Sequence, residues 1–299
     1  MKIKYINRDD RSIKTEKVLG MNGLEFLYNN FLGKFILNII VKRKYLSSIF
    51  GKFQDTKYSK KKIKSFVENY DINMDEFIRN NIDDYKSFND FFYRKIKEEA
   101  RPYSKEKNIL ISPADSRALF INNINKKISF PIKGFEFNLS NLIMDENLEV
   151  KFLNGDMAIF RLCPTDYHRY HFIDDSRVKK AYNIDGALYS VNPIALNIIK
   201  DLYSKNKRNL TLIETENFGD ILYIEIGATF VGSIVQTYEP NFINKKGDEK
   251  GYFKFGGSTI ILIFENNRIE FDKDLVENTK NGLETYIRAR EKIGKGILT

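Results

Sequence analysis

A serine that follows two glycines, in the run Gly256-Gly257-Ser258-Thr259, could carry out nucleophilic chemistry. The stretches on either side, residues 251–255 and 259–264, are rich in aromatic and β-branched residues and predict two strands. A glycine pair between strands indicates a tight turn, which could bring the hydroxyl of Ser258 close to the carbonyl of Gly257. The same four residues also occur in ordinary hairpins with a surface serine, so the motif needs further support.

The chain has only two histidines, His168 and His171, and they lie three residues apart. Imidazole gains and loses protons near neutral pH, so this pair is a candidate for acid–base work. On an extended segment, the two rings need not point the same way. A metal site would need more ligands, and we expect no metal. The acidic residues nearest in sequence are Asp166, Asp174 and Asp175.

Asp115 ends a proline-containing turn at residues 112–115, just before a predicted strand. By itself, it is an ordinary turn residue. Together, Asp115, His171 and Ser258 supply the three parts of a relay in which an acid orients a base and the base activates a nucleophile. Whether the three side chains meet in space depends on the fold.

Composition places the chain among globular proteins with a basic surface. It has 299 residues, 42% hydrophobic and 30% charged, with a net charge of +9. This charge favours an anionic partner, either an acidic membrane surface or nucleic acid. The single cysteine, Cys163, excludes an intrachain disulfide and fits a reducing compartment. We expect neither a secretory signal nor a transmembrane span, because no apolar run is long enough.

Near residue 107, helical spacing of apolar residues gives way to short β-type runs, and we expect an α+β protein with two parts. Residues 1–107 are predicted to form a helical, basic lobe, with a helical pattern at 23–50, a helix capped by Ser59 and a polar hairpin before residue 20. Residues 108–299 are predicted to form a β-rich sandwich or barrel, interrupted by a helix at 193–202. Its predicted strands are residues 118–121, 157–162, 210–213, 221–226, 230–236, 251–255 and 259–264.

Residues 33–64 contain ten basic residues and one acidic residue, Asp55, interleaved with apolar positions at helical spacing. This pattern is typical of a face that lies on an anionic bilayer. The alternative is a solvated basic helix that packs on its own core. Nucleic acid is not an expected partner, because the sequence has no recognised nucleic-acid-binding motif.

Several short motifs follow one another between about residues 88 and 264. They are Phe91-Phe92-Tyr93-Arg94, Ala100-Arg101-Pro102, Ser112-Pro113-Ala114-Asp115, Asp166-Tyr167-His168-Arg169-Tyr170-His171, Tyr189-Ser190-Val191-Asn192-Pro193, Ile226-Gly227-Ala228-Thr229-Phe230-Val231-Gly232-Ser233-Ile234 and Lys250-Gly251-Tyr252-Phe253 through Gly256-Gly257-Ser258-Thr259. In these motifs and their order, the sequence resembles the phosphatidylserine decarboxylases, a family of pyruvoyl-dependent enzymes made as self-cleaving proenzymes. One difference is Ser116, where the family usually has glycine.

The resemblance implies that the chain cuts itself between Gly257 and Ser258. Asp115 would orient His171, and His171 would take the proton of Ser258, which would then become the N-terminal pyruvoyl group. His168 would act mainly on the lipid substrate.

The resemblance also implies partners and a location. The pieces 1–257 and 258–299 would remain together as a heterodimer, which could dimerise further. The substrate would be phosphatidylserine in an anionic membrane, reached from its cytoplasmic face without a transmembrane span. Arg169 and residues 190–192 are candidates for contacts with the lipid phosphate.

Two alternatives from other functional classes stay open on the sequence. One is a hydrolase that uses Ser258, His171 and Asp115 without self-cleavage, although no Gly-x-Ser-x-Gly motif supports it. The other is a non-enzymatic membrane-binding module with a β core, in which both histidines are surface residues.

Overall fold

The structure is a computed structural model that describes residues 3–42, 49, 51–130, 136–228 and 234–297. Its helices are α1 (Met21–Asn29), α2 (Phe31–Lys42), α3 (Lys62–Tyr70), α4 (Phe88–Phe92), α5 (Leu139–Ile143), α6 (Glu146–Phe152), α7 (Pro193–Leu196), α8 (Leu202–Lys205) and α9 (Lys273–Lys280). Its strands are β1 (Lys4–Asn7), β2 (Ile13–Thr15), β3 (Ile109–Ile111), β4 (Ser116–Ile121), β5 (Lys127–Ser129), β6 (Glu136–Asn138), β7 (Asp156–Leu162), β8 (Arg169–His171), β9 (Ser176–Ile184), β10 (Arg208–Thr215), β11 (Asp220–Ile226), β12 (Ile234–Gln236), β13 (Ile243–Asn244), β14 (Glu249–Phe253), β15 (Ser258–Phe264), β16 (Ile269–Phe271), β17 (Glu284–Ile287) and β18 (Lys292–Gly296).

Ten strands form one sheet in the order β13-β9-β10-β11-β15-β7-β4-β17-β1-β2. Neighbouring strands in it run antiparallel, except that β1 and β17 are parallel. The predicted α+β class is confirmed, because helices and a large, mainly antiparallel sheet occur together without regular alternation. A closed barrel, one of the two predicted forms of the core, is wrong: within the described residues, β13 and β2 are the two edges of this sheet.

Side chains on the two faces of the large sheet belong to two different hydrophobic cores. Along β15, Ile261 and Ile263 join one core, whereas Ile260 and Leu262 join the other. The first core lies under helices α5 to α8, and the second lies against the smaller sheets β12-β14-β8 and β16-β18-β3. The central strands are therefore covered on both faces, which explains the continuous apolar run of β15.

Most predicted strands are confirmed, as β4, β7, β10, β11, β14 and β15, with ends that differ by one or two residues. The prediction at 230–236 is described only from residue 234, where β12 begins, and the rest lies outside the described residues. The N-terminal hairpin is also confirmed, as β1 and β2. Because β1 pairs with β17, this hairpin extends the large sheet, although it lies within the range 1–107 predicted as a helical lobe.

The helical pattern predicted at 23–50 is confirmed up to Lys42, as α1 and α2; residues 43–48 and 50 of the prediction lie outside the described residues. The backbone of Asn30 is extended, and its side chain accepts a hydrogen bond from the N–H of Leu32 at 2.9 Å, so α1 ends there and α2 begins. The predicted helix at 193–202 is shorter than expected: α7 ends at Leu196, α8 begins only at Leu202, and Asp201 before α8 has left-handed backbone geometry. Among the described residues, no helix combines the length and apolar character needed to cross a bilayer.

The predicted helix cap at Ser59 is wrong. Ser59 lies inside the 3₁₀ helix Lys57–Lys61, and α3 begins three residues later. Its hydroxyl donates to the carbonyl of Thr56 at 2.7 Å and accepts from the N–H of Phe88 at 2.9 Å. The buried serine therefore ties this 3₁₀ helix to the start of α4 instead of capping a helix of its own.

We predict that Gly33→Ala separates α1 from α2, because a Cβ at residue 33 would lie 1.9 Å from the carbonyl oxygen of Phe26. Gly23→Ala is the matched control, since a Cβ there meets nothing within 4 Å. Limited proteolysis and thermal unfolding should show faster cleavage within residues 20–42 and a lower Tm for Gly33→Ala only. Equal behaviour of the two variants would show that the helices do not need this close approach.

Candidate functional site

Ser258 is the first residue of β15, a central strand of the large sheet. It pairs with Leu162 of β7, is fully buried, and its Oγ has no hydrogen-bond partner among the described residues. Gly256 has a φ of 138°, a geometry that side chains strongly disfavour, so a glycine is needed in this turn. A Cβ on Gly257 would meet only Val191 Cγ2, at 3.4 Å. The space on the Cβ side of Gly257 is therefore largely open.

The turn before Ser258 is anchored on α4. The N–H of Phe255 donates to the side-chain oxygen of Asn89 at 2.9 Å. The ring of Phe255 lies against those of Phe88 and Phe92, with centroids 5.2 and 5.1 Å away. These contacts come from the helical part of the chain, so α4 fixes the position of the turn that precedes the serine.

A cavity of about 350 Å³ opens beside this turn, and most of its lining is apolar. Gly256 and Gly257 form part of its wall, next to Ser258. Further walls come from the chain before α1, from α1 itself, from the end of β7 and from residues 190–192. The cavity can therefore admit a ligand to the peptide bond between Gly257 and Ser258, and part of its wall belongs to the N-terminal helical region.

His168 has one ring nitrogen bound and the other free. Its Nδ1 lies 3.0 Å from the carbonyl oxygen of Asp166, so Nδ1 carries the proton and Nε2 keeps its lone pair. Nε2 has no hydrogen-bond partner among the described residues. Burial lowers the pKa of His168 to about 3; the nearby carbonyls of Asp166 and Gly256 oppose this shift, and the charge of Arg94 adds to it. His168 is therefore a neutral base whose ring lies near the glycine turn.

His171 has both ring nitrogens bound. Nδ1 lies 3.0 Å from the carbonyl oxygen of Gly247, and Nε2 lies 3.2 Å from the hydroxyl of Tyr167. Because Nδ1 donates to the carbonyl, Nε2 is the acceptor for the hydroxyl. Burial lowers the pKa of His171 to about 3, and the charge of Arg290 adds to this shift. The lone pair needed by a general base is therefore already engaged by Tyr167.

Asp115 is buried and forms a two-fold ion pair with Arg101, at 3.0 and 2.7 Å. Its carboxylate also accepts from the N–H of Ala289 at 2.6 Å. Among the described contacts, none joins Asp115 to His171 or His171 to Ser258 by a side-chain hydrogen bond. The charge of Asp115 still raises the pKa of both histidines, so the predicted residues share one buried region without forming the predicted chain of hydrogen bonds.

The structure also describes the other residues that the sequence analysis singled out. Ser116 is an ordinary residue of β4, paired with Ile287 and without a positive φ, so serine fits where the family usually has glycine. Arg169 binds Glu249 at 2.7 Å and does not line the cavity, whereas residues 190–192 do. Among the described residues, no cluster of His, Cys, Asp or Glu could hold a metal ion.

A buried ionic cluster near the cavity was not predicted. Arg161 binds Glu284 through Nε at 2.8 Å and Glu16 through a terminal nitrogen at 2.7 Å. Arg117 lies 3.6 Å from Glu16 and also binds Asp166. All five side chains are at most 8% exposed, and they come from segments far apart in sequence. Only Arg161 lies in a predicted strand, so the sequence gives little sign of this cluster.

A second set of missed residues surrounds His168. Its ring packs on Phe92 of α4, with centroids 4.0 Å apart, and Arg94 donates to the carbonyl of Asp166. The resemblance already included Phe92 and Arg94, but nothing in the sequence shows that they contact this histidine.

Comparison with known proteins agrees with the family resemblance. The family model described as phosphatidylserine decarboxylase matches residues 88–295. Curated proteins named phosphatidylserine decarboxylase proenzyme are similar over nearly the whole chain. That of Clostridium novyi is 47% identical over 98% of this chain and 99% of its own length. Those of Clostridium tetani and Fusobacterium nucleatum are each 48% identical, over 98% of this chain and over 98% and 97% of their own lengths.

Proposed function

This chain belongs to the phosphatidylserine decarboxylase family, and we propose that it converts phosphatidylserine to phosphatidylethanolamine and CO₂ with a pyruvoyl group made from its own Ser258. The observation that carries the proposal is the buried Oγ of Ser258, which directly follows Gly257 and has no hydrogen-bond partner among the described residues. An ordinary surface serine would be exposed or hydrogen-bonded. Burial of this hydroxyl beside a flexible glycine supports an attack on the neighbouring main-chain carbonyl.

The proposed maturation begins at the hydroxyl of Ser258. The hydroxyl of Ser258 loses its proton and attacks the carbonyl carbon of Gly257, and the peptide bond becomes an ester. Elimination across the serine Cα–Cβ bond releases the carboxylate of Gly257, and the serine remnant takes up water, loses ammonia and ends as a pyruvoyl group. The products are the pieces 1–257 and 258–299. They remain a heterodimer, because β15 pairs with β11 on one side and β7 on the other.

The geometry favours His168 as the base for Ser258. The family resemblance implies that this proton goes to His171, with Asp115 as its orienting partner. In the structure, the lone pair of His171 accepts from Tyr167, whereas Nε2 of His168 has no hydrogen-bond partner among the described residues and its ring lies near the carbonyl of Gly256. We therefore propose that His168 takes the serine proton, that Asp115 contributes negative charge nearby, and that His171 supports the β8 segment.

The residues around Ser258 fit the pyruvoyl group, since the Gly256–Gly257 turn leaves open space on its cavity side. Once formed, this group supplies an electron sink for the charge left when CO₂ departs. The mainly apolar cavity wall would exclude water from the substrate carboxylate, and this favours its loss as neutral CO₂. Residues 190–192 border the cavity and are the remaining candidates for the lipid head group.

We also propose that the protein docks on the cytoplasmic face of anionic membranes as a peripheral protein. On α2, Phe31 and Phe35 are 91% and 63% exposed, although aromatic side chains normally avoid water. On the other side of the same helix pair, Leu27 and Leu37 line the cavity. The basic cluster at residues 42–44 would add attraction to anionic lipids, and its side chains lie outside the described residues.

Self-cleavage predicts that purified protein runs as two pieces and that Ser258→Ala runs as one, without decarboxylase activity. The intact mass of the 258–299 piece should be lower than that of the serine form by one ammonia. Ser116→Ala is a control, because this buried serine lies outside the cleavage turn and should leave cutting intact. An uncut wild-type chain that hydrolyses esters through Ser258 would instead support the hydrolase alternative.

The two histidines should differ in their effect on cutting. His168→Ala should slow maturation by about 10²–10⁴, the usual cost of removing a positioned base, and accumulate as full-length chain. His171→Ala should cut faster than His168→Ala, because its ring is engaged by Tyr167 and Gly247. Gel densitometry after pulse labelling measures both, and thermal unfolding checks that each variant is folded. If His171→Ala instead cuts more slowly than His168→Ala, His171 is the base that takes the serine proton, as the family resemblance implies.

Membrane docking predicts salt-sensitive binding to anionic vesicles. Phe31→Ser with Phe35→Ser should weaken sedimentation with vesicles of phosphatidylserine and phosphatidylcholine. Changing Lys42, Arg43 and Lys44 to Glu should weaken it too, by up to roughly 1 kcal/mol per basic residue. Val150→Ser, at a position 75% exposed on α6, is the control. If neutral and anionic vesicles bind equally at every salt concentration, the electrostatic part is wrong.

A further inference from the structure

A lysine and a glutamate form a fully buried ion pair that the proposed reaction does not use. The side chains of Lys250 in β14 and Glu225 in β11 are each 0% exposed, and Nζ of Lys250 lies 2.5 Å from a carboxylate oxygen of Glu225. Neither residue belongs to the described lining of the cavity. Because it is costly to take two charges out of water, the retention of this pair calls for a reason.

The side chain of Lys250 is charged and fully bound. Besides Glu225, its Nζ donates to the hydroxyl of Thr211 at 3.1 Å and to the side-chain oxygen of Gln236 at 3.0 Å. The hydroxyl of Thr211 donates to Asn209, so it accepts from Lys250. Three acceptors use the three N–H groups of an ammonium, which fixes this side chain on β10, β11 and β12.

Lys250 is also the point at which the pairing between β14 and β8 shifts. Glu249 pairs with His171, and Gly251 pairs with Tyr170, so Lys250 is the additional residue of a β-bulge. A bulge bends its strand and re-aims a side chain, and here that side chain is anchored on the large sheet. A slip of the pairing by one residue would turn every side chain of β8 to its other face.

The main chain on both sides of the bulge holds the segment that contains the two histidines. After the bulge, the N–H of Phe253 donates to the carbonyl of His168 at 3.0 Å. Before the bulge, the carbonyl oxygen of Gly247 lies 3.0 Å from Nδ1 of His171. The residues around the bulge therefore place both histidines, whichever of them takes the serine proton.

Glu225 connects the bulge to the strand that begins with Ser258. It lies in β11 opposite Ile260 of β15, two residues after Ser258. From Lys250, the chain runs through the turn at Gly256 and Gly257 to reach β15. The ion pair thus closes a loop that contains the proposed cleavage point, and the same loop holds the histidine segment.

We propose that Lys250 and Glu225 are positioning residues for self-cleavage: their ion pair holds the bulge of β14 on the large sheet and so sets the place of the histidine segment relative to Ser258. This inference rests on the proposed function, because it concerns how the reacting groups are brought together. Replacing a buried ion pair by apolar side chains is often neutral or stabilising, whereas removing one partner leaves a costly buried charge. Mutation can therefore separate an effect on position from an effect on stability.

The first test uses the full chain with Lys250→Met and Glu225→Met together, called the apolar-pair variant. It should mature on the order of 10²-fold more slowly than wild type, the cost of displacing reacting groups by about 1 Å. Its Tm should equal or exceed that of wild type, whereas Lys250→Met alone should lower the Tm, because Glu225 keeps an unpaired charge. Gel densitometry after pulse labelling measures maturation.

Lys151→Met is the control, and it should mature at the wild-type rate. Lys151 pairs with Asp220 at the other end of β11, and Asp220 keeps its contact with Lys179 at 2.9 Å when Lys151 is replaced. The control therefore removes a lysine from the same strand without touching the bulge.

A second measurement does not depend on cutting. Each variant is also made with Ser258→Ala, so that thermal unfolding and hydrogen exchange compare uncut chains. In the apolar-pair variant, the amides of residues 168–172 and 247–253 should lose protection, whereas those of β7 should keep it. A pair that served stability alone would not change exchange in these segments selectively.

Maturation of the apolar-pair variant at the wild-type rate would overturn the proposal, as would equal slowing in Lys151→Met. A Tm of the apolar-pair variant below that of wild type, or its failure to fold, would show that the pair serves stability and would also overturn it. So would unchanged protection of residues 168–172. Failure of the wild-type chain to cut would instead refute the proposed function and leave the hydrogen-exchange result standing.

Discussion

A buried hydroxyl group that has no partner among the described residues sets the terms for the rest of this fold. A buried hydroxyl that forms no hydrogen bond costs about 1–3 kcal/mol, and within the described part of the chain Ser258 is such a group, at the start of the central strand β15. Tyr167 and Asp115 are engaged elsewhere: the hydroxyl of Tyr167 contacts His171, and Asp115 contacts Arg101. The Ser258 hydroxyl, with no partner among the described residues, stays available for the proposed attack on the neighbouring carbonyl of Gly257.

The position of β15 also explains how the chain could tolerate a cut at this point. β15 is hydrogen-bonded along its length to β11 and β7, and both of its faces lie in hydrophobic cores. Breaking the bond before Ser258 would leave these contacts in place. Glu284, in the C-terminal piece, is bound to Arg161 in the N-terminal piece, and a buried ion pair is costly to separate, about 3–5 kcal/mol when one partner is removed.

The sequence predicted what depends on local pattern. Six strands follow from alternating or continuous apolar runs, and the glycine turn follows from its glycines. Contacts between distant segments could not be predicted. Ser59 reads as a helix cap, but its hydroxyl is taken by Thr56 and Phe88. The sequence also does not show which histidine is free, because Gly247 and Tyr167 decide that for His171.

The N-terminal segment connects the helical region to the candidate site through a buried ion pair and through the wall of the cavity. Glu16 borders the cavity and binds Arg161, and Arg161 binds Glu284 of the C-terminal piece. The chain leaving this carboxylate runs directly into α1, whose Leu24 and Leu27 form part of the cavity wall. The exposed aromatic residues of α2 pack on no described core, so a surface that holds them would also act on the helix pair that closes the cavity. Under the proposed docking, a bilayer that holds the lipid substrate would be such a surface.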